Sequence, residues 1–145
     1  QPLRQGWRHR HCAVHGEMSM KIFLAFALML ACGSANAATA RCHVIYGGEN
    51  WTIEATPTDK PYLVEGKKVG RYFEFKLAYV FLPATGAAIK IYTYTTISGE
   101  SVLVHQATHR PPFDSRSEPF GFTGFNYVYE PSKGSELQYW CEYRQ

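Results

Sequence analysis

Arg71-Tyr72-Phe73-Glu74-Phe75-Lys76-Leu77-Ala78-Tyr79-Val80-Phe81-Leu82 reads as a β-strand, and this reading sets the class of the whole fold. Phe73, Phe75, Leu77, Tyr79 and Phe81 fall on one side of a period-2 ribbon. Tyr72, Glu74, Lys76 and Ala78 fall on the other, which turns apolar at Val80 and Leu82. A strand that is apolar on one side at its start and on both at its end is expected to be central in its sheet there. Pro83-Ala84-Thr85-Gly86 stops it.

Working outward, the same alternation recurs. Downstream, Ala88 to Ile97 puts Ile89, Ile91, Thr93, Thr95 and Ile97 on one face and Lys90, Tyr92, Tyr94 and Thr96 on the other. Ser98-Gly99-Glu100 turns into Val102 to Thr108, where Val102, Val104 and Gln106 oppose Leu103, His105 and Ala107. His109 to Phe120 is irregular and carries Pro111, Pro112 and Pro119. Gly121 to Glu130 is a glycine-interrupted strand with Phe125, Tyr127 and Tyr129 on one side. After a turn over Pro131 to Ser135, Glu136 to Tyr143 closes the pattern with Leu137, Tyr139, Cys141 and Tyr143 on one face.

Upstream, Arg41 to Tyr46 and Trp51 to Ala55 alternate around Gly47-Gly48-Glu49-Asn50, a hairpin signature. Thr56 to Pro61 is expected to be loop, Tyr62-Leu63-Val64 a short strand, and Glu65 to Lys68 a turn. No run of apolar residues at helical spacing interrupts the series. The expected fold is all-β: about eight antiparallel strands as a small sandwich or barrel.

Ahead of this domain lies Met20 to Ala37, which has the form of a cleavable signal peptide. Lys21 supplies the positive start, Ile22 to Ala31 the apolar run, and Ala35-Asn36-Ala37 the cleavage motif, with scission between Ala37 and Ala38. Cys32 admits a lipoprotein alternative, but Leu30 is bulky where a small residue is usual. Residues 1–19 read as an over-extended segment ahead of Met18 or Met20. Their His9, His11, Cys12 and His15 could approach a metal but have no second paired set, and no metal or cofactor is expected. The domain organisation is thus residues 1–19, 20–37 and a single β domain over 38–145.

Two cysteines remain in 38–145, Cys42 and Cys141, both on the apolar faces of their strands. In an exported chain such a pair is read as a disulfide. Joining the first and last strands, it is expected to tie the sheet's two ends together and cover its edges. The leader style points to a bacterial periplasmic or secreted protein. Lysines and arginines in 38–145 number eleven, as do the acidic residues, so the charge of +3 belongs to Arg4, Arg8, Arg10 and Lys21 less Glu17. A neutral domain lacks the electrostatic footprint of a nucleic-acid binder, and no membrane-spanning anchor is expected in it.

No nucleophile elbow, phosphate loop or zinc-protease helix is present. Asn50-Trp51-Thr52 is a glycosylation sequon, which the bacterial leader leaves without a glycan. The irregular stretch from His109 to Phe120 is the expected binding element, because long unstructured loops are often functional. Its Arg110, Phe113, Arg116 and Phe120, with the nearby aromatics Phe122 and Phe125 that follow, are of the types that anchor partners. Tyr92 and Tyr94 are a second candidate, as an exposed aromatic strip or a second core layer. The functional expectation is a non-enzymatic, inhibitor-like module that binds a protein or glycan. The alternatives are a small hydrolase using His109 and Asp114 with Ser115 or Ser117, and an outer-membrane barrel, for which several strands are too short.

Overall fold

The computed structural model describes residues 37–114 and 119–145. Residues 1–36 and Ser115 to Glu118 lie outside the described residues, and with them the segment expected over 1–19, nearly all of the signal peptide expected over 20–37, Cys32, the early histidines and Arg116. The described chain is all-β, with nine strands in two sheets. Strands β1 (Thr39–Tyr46), β2 (Glu49–Ala55), β8 (Asn126–Glu130) and β9 (Ser135–Arg144) form sheet A in the order β2-β1-β9-β8. Strands β3 (Pro57–Thr58), β4 (Lys67–Val69), β5 (Phe73–Leu82), β6 (Gly86–Ile97) and β7 (Glu100–His109) form sheet B. Strand β5 pairs with β6 along one edge; the other edge takes β4 at Phe73–Phe75 and β3, in parallel, at Tyr79–Val80. The strands do not close into one cylinder.

The space between the sheets holds the apolar faces expected from alternation. Phe73, Phe75, Ile89 and Ile91 from sheet B meet Cys42, Val44, Leu137, Tyr139 and Cys141 from sheet A. Each such fully buried side chain contributes about 1.5–3 kcal/mol relative to exposure. Ala78 and Val80 are buried on the opposite face of β5, where the sequence turns apolar on both sides. The β1–β2 loop is only Gly47-Gly48, both at positive φ, which is what a two-residue hairpin of the right twist requires.

Five local expectations are corrected. Thr56 to Pro61 is not wholly loop: Pro57–Thr58 forms β3, in parallel with Tyr79–Val80. Tyr62-Leu63-Val64 is not a strand: Pro61 opens a 3-10 turn over Pro61–Leu63 and leaves Tyr62 93% and Leu63 75% exposed. The expected turn at Glu65 to Lys68 instead leads into β4, an edge strand whose Lys67 and Lys68 face solvent while Val69 is buried. A bulge opposite Thr93 and Tyr94 shifts the parity of β7, so Val102 before it and His105, Ala107 and His109 after it share the inward side. Finally, Gly121 to Phe125 is not strand. It lies along the edge of β9, where the Phe122 amide donates to the Cys141 carbonyl (3.0 Å) and the Cys141 amide donates to Thr123 Oγ1 (2.8 Å).

Those two bonds also explain the disulfide. Cys141 turns its amide and carbonyl toward residues 122–123, so toward β1 it presents the non-hydrogen-bonded side of an antiparallel pair, where side chains approach most closely. Cys42 sits directly opposite, and the two are bonded with a Cα–Cα distance of 4.0 Å. The bridge therefore joins adjacent central strands; it does not cover the sheet's edges, which are β2 and β8. At the end of β8 an inward-facing carboxylate, Glu130, is fully buried and caps the following turn. It accepts from the Ser132 hydroxyl and from the Ser132 and Lys133 amides. The Ser132 hydroxyl bond outweighs the opposing cost of burial and, with the two amides and the Lys133 charge, holds the carboxyl below its ordinary range.

Candidate functional site

Sheet A carries a second set of aromatic residues on its outer face, besides the inward Tyr139. In β9, Cys141 and Tyr139 point inward, so Gln138, Trp140 and Glu142 point outward. In β8, Val128 and Glu130 point inward, so Tyr127 and Tyr129 point outward at 64% and 59% exposure. His43, opposite Trp140 on β1, stacks on the indole with ring centroids 4.0 Å apart. Phe120 approaches the same indole at 6.2 Å and packs edge-on against Phe125 at 4.8 Å. Phe125 in turn meets Tyr127 at 5.3 Å. The result is a continuous ridge, His43–Trp140–Phe120–Phe125–Tyr127, with Tyr129 next along β8.

A charged rim borders it. Glu142 receives His43 Nε2 at 3.2 Å and Arg144 at 2.6 Å, with Arg41 at 3.8 Å. Arg41 also pairs with Glu54. Partial burial opposes ionisation of Glu142, but the bonds and charges of His43 and Arg144 prevail and hold its carboxyl below the usual range. Exposed pairs of this kind add little stability, typically below about 1 kcal/mol. They do fix the orientation of the groups that flank the ridge.

A second feature is a half-open cleft of about 560 Å³ at one end of the sandwich. Tyr79 and Ala87 of sheet B, Pro111 to Asp114, Tyr143 and Gln145 line it. The Pro111–Pro112 bond is cis. Phe113 packs on Tyr79, Tyr143 and Phe122 at 6.0, 5.1 and 5.4 Å. The Tyr79 and Tyr143 hydroxyls are 3.3 Å apart, and burial, then the Tyr143 bond, pushes the Tyr79 phenol up to about 12.

The sequence-derived candidates thus separate onto different surfaces. Phe120 joins the ridge and is 40% exposed. Phe113 pins its loop to the core and lines the cleft. Arg110 is exposed and donates to the Thr85 carbonyl (3.4 Å). Tyr92 and Tyr94 stack on the outer face of sheet B, half-buried, on the far side of the sandwich from the ridge. They are therefore not part of the core between the sheets. Asp114 lines the cleft, whereas His109 does not, its ring lying edge-on to Phe122. No known protein family, curated protein or solved structure matches this chain. Its site has to be read from its own geometry. Among the described residues there is no group of three or more potential metal ligands, and no helix long and apolar enough to cross a membrane.

Phe125 follows the candidate loop in the sequence, whereas Trp140, Tyr127 and His43 lie outside the residues expected to form the site. The cysteine parity carries the signal for Trp140: if Cys141 faces in, Trp140 faces out, an aromatic where solvent is expected. For β8 alternation alone is ambiguous, because its inward set contains Glu130.

Inside, His105 bonds the buried Tyr139 hydroxyl through Nε2 at 2.8 Å. Burial pushes the Tyr139 phenol up to about 12. Both inward histidines are held below the ordinary imidazole range, His105 by burial and His109 by burial and then by His105. The unfolded chain then takes up protons at a higher pH than the folded one, so stability should be at its plateau above about pH 6.5 and fall as pH drops through that value. Urea midpoints across this range should show that slope, and replacing both His105 and His109 with Asn should flatten it. An unchanged slope in the double variant would contradict the assignment.

Proposed function

We propose that this chain is an exported, non-enzymatic binding module that docks a protein partner on the outer face of sheet A. The ridge of contiguous aromatic rings with an Arg-bearing rim supports this reading, since exposed aromatics and arginines are what protein interfaces bury at their centres. Ring orientation favours a protein over a glycan there. Phe120, Phe125 and Trp140 meet at 65–68°, presenting edges and no coplanar platform for sugar faces. Export is supported by the Cys42–Cys141 bond, of a kind that persists in oxidising compartments. It is also supported by the change from an exposed Ala37 to an Ala38 packed on the core. The compartment proposed is the periplasm or the exterior of a bacterium.

Once a partner is isolated by co-purification, Phe120→Ala and Tyr127→Ala should each weaken its binding by tenfold or more, roughly 1.4 kcal/mol or above. Tyr92→Ala, on the opposite face, should leave affinity within about twofold. Equal losses at all three positions, or none, would remove the ridge from the interface.

A further inference from the structure

The cleft beside Phe113 has a different chemistry from the ridge. Its volume of about 560 Å³ lies within the range of small-molecule sites, roughly 300–1,000 Å³. Pro111, Pro112 and the Phe113 ring supply apolar wall. Among the described residues, the polar groups that line it are neutral or acceptor-rich. Tyr79, whose phenol is pushed up to about 12, offers a hydroxyl, and the Tyr143 hydroxyl lies 3.3 Å from it. Asp114 brings a carboxylate with about four lone-pair positions, so it can accept from a ligand hydroxyl while holding another partner. Gln145 adds a carboxamide, which both donates and accepts.

We infer that this cleft takes one neutral pyranose, the terminal sugar of a glycan. A pyranose has an apolar C–H face to lie against Phe113 and the prolines, and a rim of hydroxyls that each donate and accept. That combination matches a wall of ring and proline carbons facing a phenol pair, a carboxylate and a carboxamide. The half-open mouth lets the rest of a chain continue into solvent. A cationic aromatic ligand would use the carboxylate and the rings but leave the phenols and carboxamide without matching groups, which costs affinity. The inference does not depend on the ridge.

The test is an amide chemical-shift titration of the disulfide-bonded, isotope-labelled protein. The probes are the methyl glycosides of glucose, galactose, mannose and N-acetylglucosamine, with phenethylamine as the cationic comparison. At least one glycoside should give saturable shifts at Ala87, Phe113 and Tyr143 with a dissociation constant of about 1 mM. Tyr143→Phe and Asp114→Asn should each weaken it by about fivefold or more while the other amide positions stay put. No saturable shift at those amides for any glycoside up to about 50 mM would overturn the inference. So would phenethylamine occupying the cleft in their place, or full-strength binding in both variants. If a variant fails to fold, the shift map of the unmodified protein decides alone.

Discussion

Replacing Cys42 and Cys141 together with Ala is expected to lower stability by about 3–5 kcal/mol while leaving the fold in place. The bond spans 99 residues, and in the chain-entropy description a loop of that length restricts the unfolded ensemble by about 4.7 kcal/mol. The folded side changes little. Strand β1 keeps its ladder to β2 on one side and to β9 on the other, from Thr39 opposite Arg144 to Ile45 opposite Gln138. Those pairings hold the register without the sulfurs. Total stabilities of domains this size run at about 5–15 kcal/mol, so the loss should be a large share of the whole. Urea unfolding of the double variant, and of the parent protein with the bond reduced, should give the same lowered midpoint. Amide spectra should stay dispersed before the transition. A midpoint within about 1 kcal/mol of the oxidised parent would mean that the bond does not constrain the unfolded chain as described.

Gly121→Ala should be nearly as damaging, for a reason confined to the folded state. Gly121 sits at φ +62°, and a Cβ there would stand 2.0 Å from the Cys141 carbonyl oxygen and 2.7 Å from its carbon. The neighbour is backbone in a central strand and cannot swing aside. The substitution carries left-handed strain of about 1–2 kcal/mol and forces residues 121–123 off the β9 edge. That breaks the Phe122-to-Cys141 and Cys141-to-Thr123 bonds, leaving buried backbone groups unpaired at about 1–3 kcal/mol each. We expect a loss of roughly 3–5 kcal/mol, and with it displacement of Phe120 from Trp140. Gly47→Ala is the control: its φ is +60° but nothing lies within 4 Å, so it should cost only the strain. Equal effects at the two positions, measured by urea unfolding, would show that close approach to Cys141 is not what requires glycine at 121.

Much of the fold was legible because its longest strands alternate cleanly. Phe73 to Tyr79 and Ile89 to Thr95 face the core as period 2 dictates, although Phe81 at the end of β5 is 55% exposed, and the paired cysteines mark the inward side of β1 and β9. What was not legible depends on partners distant in the chain. The β7 bulge changes which residues face inward and cannot be seen from local alternation. Gly121 to Phe125 looks like strand because its aromatics are strand formers, yet positive φ at Gly121 and Gly124 bends it into a cover for β9. Sheet order places β1 beside β9, which turned an expected edge cover into a central bridge. The candidate site was half legible for the same reason. Phe120 could be picked by residue type, but Trp140, which it touches, comes from β9, and Tyr127, reached through Phe125, comes from β8.

The most direct test of docking on sheet A is site-specific photo-crosslinking in cells that make the protein, comparing a photoreactive residue at Tyr127 with one at Tyr92. These sites lie on opposite outer faces of the sandwich. Docking on sheet A should give one discrete crosslinked protein from position 127 and none from position 92. Crosslinking of that protein from position 92 alone would contradict it.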